Sequence, residues 1–157
     1  MAYQKKTWRE KLSDDKDFPR VVKLGPALRK RWGGATCIIP SPREVDRLMR
    51  KIPKGKVTTI NHLRQALARK HKTDIGCPIC TGIFARVAAG AAEEQAAEGR
   101  RDVTPYWRTL KAGGVINERY PGGVAKQKML LQKEGHRVQA RGKNRVVVDY
   151  EKKLAAL

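Results

Sequence analysis

Apolar residues recur at helical spacing in three stretches between residues 41 and 97, and the chain ends on short alternating runs. Ser41-Pro42-Arg43-Glu44 opens the first stretch with a cap hydroxyl, Pro at the first helical position and Glu three residues after the cap. This predicts a helix to about Lys51 that buries Val45, Leu48 and Met49. Pro53-Lys54-Gly55-Lys56 then makes a turn, and Val57-Thr58-Thr59 is short and extended. Thr58 or Thr59 is placed to cap a second helix through about His71, with Ile60, Leu63 and Leu67 on one face. A third helix is expected from Ile79 or Cys80 to Ala97, stopped by Gly99, with Ile83, Phe84, Val87, Ala88 and Ala91 inward.

Past Gly99 the turn signals Ala112-Gly113-Gly114 and Tyr120-Pro121-Gly122-Gly123 precede a helix over about Val124 to Lys133, with Leu130 and Leu131 facing in. His136 to Ala140 and Arg145 to Tyr150, separated by Arg141-Gly142-Lys143-Asn144, read as a β-hairpin. Residues 1 to about 36 mix charges with Pro19, Gly25, Pro26, Gly33 and Gly34 and have no sustained period. They are expected to form a basic arm, holding at most a short helix and ordered by docking on the rest. The pattern divides the chain into an arm over 1–40, a helical domain over 41–137 and a hairpin with tail over 138–157.

Charge narrows the function. Lys and Arg number 35 against 15 Asp and Glu in 157 residues, a formal net charge of +20. A surface so one-sided repels itself unless an anionic partner neutralises it, so a polyanion is the expected partner. Hydrophobic residues make up 40%, enough for one core, whereas aromatics at 6% argue against a sheet that reads single strands by many stacked bases. No apolar run approaches the ~18 residues of a membrane helix, and the N-terminal MAYQKKTWREKL has no apolar signal segment. We therefore expect a cytoplasmic, nucleoid-associated monomer without membrane contact.

Three cysteines cannot all pair, which favours free thiols. Cys77-Pro78-Ile79-Cys80 has the spacing of half a zinc site or a redox pair, and Cys37 with His71 would complete four ligands. One such pair with no second pair nearby is a weak signal, and buried, metal-free thiols with no cofactor are the expectation. The second and third helices, joined by a short loop, read as a helix-turn-helix. The small residues of the third helix suit close approach to a duplex and close packing on another helix equally well.

Ile52 to Thr59, then Pro105-Tyr106-Trp107-Arg108, then Tyr120-Pro121-Gly122-Gly123 with Leu130-Leu131 and Glu134-Gly135-His136 resemble, in order and spacing, the DNA-binding domain of O6-alkylguanine-DNA alkyltransferases. The likeness spans about 40 to 137 and implies a mainly α fold with a small β component, a winged helix-turn-helix. That family flips alkylated guanine out of duplex DNA and passes the alkyl group to Cys in a Pro-Cys-His-Arg motif. Here Tyr106 stands at the acceptor position and Trp107 replaces the activating His. A phenol of pKa ~10 is a far poorer nucleophile than an activated thiolate. The departure resembles the non-catalytic alkyltransferase-like proteins, which bind alkylated DNA and present it to nucleotide excision repair.

Carried over position by position, the resemblance implies a lesion pocket of Tyr106, Trp107, Tyr120, Pro121, Gly122 and Gly123. It implies DNA contacts from Thr58, Thr59, Thr81, Arg86, Ala89 and Gly90, with Arg86 at the position that fills the gap left by a flipped base. Pro105, Arg108 and Glu134 take structural places, with Glu134 an acceptor for Arg108 or a main-chain amide. Ile60 stands where the family has a tyrosine that rotates the nucleotide. Two other functions stay open: a general basic DNA- or RNA-binding protein without lesion recognition, and an active alkyltransferase using Cys77 or Cys80. The environment of Tyr106 separates them, because a lesion pocket requires open space beside that ring.

Overall fold

The computed structural model describes residues 5–157. Helix α1 (Trp8–Ser13) leads to strand β1 (Arg20–Lys23), helix α2 (Pro26–Trp32) and strand β2 (Thr36–Ile39). Helix α3 (Pro42–Arg50), strand β3 (Thr58–Thr59), helix α4 (Ile60–His71), strand β4 (Ile75–Gly76) and the long helix α5 (Pro78–Ala97) follow. A 3-10 turn (Tyr106–Arg108) runs into strand β5 (Thr109–Leu110), then helix α6 (Gly123–Lys133) and the strands β6 (Val138–Arg141) and β7 (Asn144–Val147). The architecture is mixed, with six helices and three small sheets among the described residues.

Cap chemistry sets the helix starts. The Ser41 hydroxyl accepts from the amide of Glu44 at 3.2 Å, and Thr59 Oγ1 accepts from the amide of His62 at 3.3 Å. At α5 the capping atom is a sulfur: Cys77 Sγ accepts from the Cys80 amide at 3.3 Å, so the helix begins at Pro78. Gly99, with φ +90°, lies just past its end.

The first core gathers Ile38, Val45, Met49, Leu63 and Leu67 around an alanine stripe of α5, and the second gathers Val57, Leu110, Ile116, Leu131 and Val147. The inward stripe of α5 is Thr81, Ala85, Ala88 and Ala92, which lets α3 and α4 pack close. Ile83, expected inside, is 53% exposed, because at 100° per residue it lies opposite that stripe.

Residues 20–39, expected to be irregular arm, carry two strands. β1 pairs antiparallel with β2, and β2 pairs in parallel with β4, so β2 is the central strand of its sheet. Its partners lie next to it and 38 residues along the chain (Cys37 opposite Ile75), which no local pattern displays. β6 and β7 form the C-terminal hairpin around Gly142-Lys143, with Arg141 opposite Asn144 and Gly142 at φ +60°. The tail then returns to the second core: the Val57 amide donates to the Lys153 carbonyl and the Ala155 amide to the Val57 carbonyl, both at 2.9 Å.

Candidate functional site

The centre of the molecule is built around the 3-10 turn Tyr106–Arg108. Tyr106 is 1% exposed, and its ring meets Trp107 and Tyr120 edge-on at centroid distances of 5.4 and 5.3 Å. Its hydroxyl donates to Glu93 Oε1 at 2.6 Å, and Lys126 Nζ reaches Glu93 Oε2, also at 2.6 Å. Burial, reinforced by that carboxylate, drives the Tyr106 phenol far above its ordinary range. Burial also pushes the Glu93 carboxyl up, but the hydrogen bonds from Lys126 and Tyr106 outweigh it and hold the group below the usual carboxylate value. Tyr106 is thus a neutral donor to a carboxylate.

This arrangement corrects the inferred lesion pocket. Tyr120 is 2% exposed and donates to the Thr109 carbonyl at 3.1 Å. Trp107 Nε1 donates to Glu134 Oε1 at 2.8 Å. Gly122 takes φ +81° ahead of α6, and the Lys126 side chain lies over it. Pro121 and Gly123 complete the turn, with the Gly123 amide donating to the Tyr120 carbonyl at 2.9 Å. Tyr106 and Tyr120 are packed in the interior, with their rings against each other. Glu93 and Lys126, which continue the hydrogen-bond chain from the Tyr106 hydroxyl, were not among the sequence candidates, since neither belongs to a motif segment that was assigned a role.

Arg108 and Glu134 form a bidentate pair, Nε to Oε1 at 2.8 Å and Nη2 to Oε2 at 2.7 Å, while Arg108 Nη1 donates to the Ile52 carbonyl at 2.8 Å. Pro105 caps the turn. This pair ties the start of the second core to the end of α6.

Five of the six inferred DNA contacts are internal. Thr58 and Thr59 are buried in the β3–β5 ladder, and Thr59 caps α4. Thr81 is buried and donates from Oγ1 to the Cys77 carbonyl at 2.6 Å. Ala89 packs in the first core, and Gly90 lies directly beneath the Trp8 ring, where a Cβ would collide with it. The small residues of α5 serve close packing. Arg86 alone is exposed, its guanidinium 5.5 Å from the centroid of the Trp8 ring.

The thiols are recessed. Cys37 and Cys77 are buried with Cys80 packed beside them. Burial, together with the neighbouring Cys77 sulfur, pushes Cys37 up to about 11 and Cys80 up to about 12. His71, which was to complete a four-ligand set with Cys37, instead meets Glu44 Oε2 at 2.6 Å. No cluster of three or more His, Cys, Asp or Glu side chains suited to a metal is found among the described residues.

Outside this centre, a groove of about 830 Å³ opens between the arm, the outer face of α5 and the 117–119 loop. None of the six inferred pocket residues lines it. Exposed cations lie in the arm at Arg20, Lys23 and Arg29 and on the hairpin at Arg141, Lys143 and Arg145.

No protein-family model matches the chain, and no characterised protein matches it in sequence. Two solved structures match it in fold. The crystal structure of Schizosaccharomyces pombe ATL in complex with DNA has a TM-score of 0.53 at 19% identity, covering 74% of this chain and 94% of that one. The chain is similar in fold to an alkyltransferase-like protein. The S. pombe Atl1 structure with damaged DNA containing O6-carboxymethylguanine has the same identity and coverage and a TM-score of 0.48.

Proposed function

We propose that this chain is a non-enzymatic DNA-binding protein that uses an alkyltransferase-like scaffold to grip duplex DNA through phosphate contacts, with the base pocket of that scaffold closed. The observation that carries this reading is a net charge of +20 on a fold similar to one solved in complex with DNA. In this reading α4 and α5 are the helix-turn-helix pair, and the β6–β7 hairpin, with Arg141, Lys143 and Arg145, is a wing on the phosphates. Absence of alkyl transfer belongs to this reading, supported by a buried phenol held neutral at the acceptor position and by recessed thiols held neutral near α5.

Salt titration tests the grip. With several phosphates neutralised, log K should fall by about 0.9 per phosphate for each log unit of salt. A slope near zero removes the proposal. Recognition of alkylated guanine, with hand-over to excision repair, is the second reading and rests on the motif likeness over 52–137. It requires Tyr106 to leave Glu93. Duplexes with and without O6-methylguanine, compared at one salt concentration, should bind equally if the centre stays closed; a clear preference for the lesion would establish the second reading instead.

A further inference from the structure

All three cysteines of the chain meet where β2 and β4 run against the start of α5. Cys77 is pinned there by its backbone. Its amide donates to the Ile38 carbonyl at 2.9 Å, its carbonyl accepts from Thr81 Oγ1 at 2.6 Å, and the Gly76 carbonyl before it accepts from Arg64 Nε at 2.8 Å. Its sulfur caps α5, 3.3 Å from the Cys80 amide, so Cys77 and Cys80 hold the N-cap and third helical places. Side chains at those two places turn toward each other, as in a capping box, and here both carry sulfur. The Cys80 thiol accordingly neighbours the Cys77 sulfur. Access differs among the three: Cys37 and Cys77 are buried, whereas Cys80 is half-buried, with the charge of Arg20 on β1 favouring its thiolate.

We infer that Cys77 and Cys80 close into a reversible disulfide by exchange with small-molecule disulfides. The Cys80 thiolate attacks one sulfur of the incoming disulfide, whose S–S bond breaks and releases one small thiol. The Cys77 thiolate then attacks the Cys80 sulfur of the mixed disulfide and releases the second. Two protein thiols and one small disulfide become one protein disulfide and two small thiols, and the two protons lost by the cysteines pass to the released thiolates. Cys37, 1% exposed on β2, takes no part. The burial that raises Cys80 slows the first attack without opposing the product, because the reduced pair has no stabilised thiolate of the kind that makes a disulfide easy to reduce. Folding also sets the two sulfurs against each other before the bridge forms, so little further ordering is needed. The inference concerns the β4–α5 junction alone and does not rest on DNA binding.

Equilibration of the full chain with glutathione buffers of graded composition at neutral pH tests it, read by acid quench, alkylation under denaturing conditions and intact mass. In the most oxidising buffer two of the three thiols should escape alkylation without carrying glutathione, and peptide mapping should place the bridge between Cys77 and Cys80. Cys37→Ala should oxidise as the wild type does. Cys77→Ser, which keeps a hydroxyl cap on α5, should stop at a glutathione adduct on Cys80. The oxidation constant of the folded chain should exceed that of the chain in urea by about tenfold, since folding holds the sulfurs together. By linkage that factor is about 1.4 kcal/mol, so the bridged chain should melt about 3–6 °C above the reduced one. Three alkylated thiols in the most oxidising buffer overturn the inference, as do a bridge to Cys37 or equal oxidation constants for the folded and unfolded chain.

Discussion

Replacing Tyr106 by alanine decides whether the centre is packed core or open pocket. The ring is almost wholly buried, it meets two aromatic neighbours, and its hydroxyl is bonded to Glu93. Removing a buried aromatic side chain costs about 3–5 kcal/mol through lost transfer energy and the cavity left behind. In a chain of this length each kcal/mol moves Tm by about 2–4 °C, so Tyr106→Ala should melt about 6 to 20 °C lower. Tyr106→Phe isolates the hydroxyl. A hydrogen bond to a charged group is worth about 1.5–3 kcal/mol, and because Lys126 still pairs Glu93 the lower end applies, a fall of about 3–6 °C. Thermal unfolding followed by far-UV circular dichroism gives both numbers, with duplex affinity measured alongside. An unchanged Tm in Tyr106→Ala, combined with altered DNA affinity, would refute the closed centre and restore a ligand-facing ring.

Glu134→Gln leaves the largely buried Arg108 without its carboxylate and should cost about 3–5 kcal/mol at pH 7 in urea unfolding. Burial raises the Glu134 carboxyl, but hydrogen bonds from Arg108 and Trp107 outweigh it, so its folded value lies below the unfolded one. The contribution is therefore present above the ordinary carboxylate range of about 4.3 and lost as pH falls through the folded value, and the gap between variant and wild type should close in acid. With Cys37 and Cys80 pushed up to about 11 and 12, iodoacetamide at pH 7 should label the folded chain at least about tenfold more slowly than the unfolded one. Rapid labelling of either thiol would reopen cysteine chemistry, as would a gain in intact mass after incubation with O6-methylguanine DNA. Gly90→Ala drives a Cβ into the Trp8 ring and should loosen α1 from α5, together with the Arg9 pairs to Glu94 and Glu98. Limited trypsin digestion should then cut at Lys11 faster than in the wild type; equal rates would mean that the arm is held elsewhere.

Elements whose signals are local were legible. The starts of α3 and α4 follow from Ser41 and Thr59, whose hydroxyls bond amides three residues on, and the β6–β7 hairpin follows from its two alternating runs. The inward face of α5 was not, because a helix of alanine and glycine has little amphipathy and its apolar pattern does not distinguish Ile83 from Ala85. The sheet joining β1, β2 and β4 was hidden for another reason: its parallel pair is set by a distant contact. At the centre the residues of the motif were readable, including the Arg108–Glu134 pair, but their surroundings were not. Glu93 lies thirteen residues before Tyr106 on a helix read as featureless there, and only the folded chain sets its carboxylate against the phenol.

The central place of β2 has a practical consequence for anyone trimming the protein to its motif-bearing portion. A fragment starting at Ser41 would strip away Cys37 and Ile38, uncovering the Ile75-Gly76 backbone as an unguarded edge, and would lift Trp8 from Gly90. Such a fragment is expected to self-associate through that edge, so the unit to express and crystallise with nucleic acid is the whole chain.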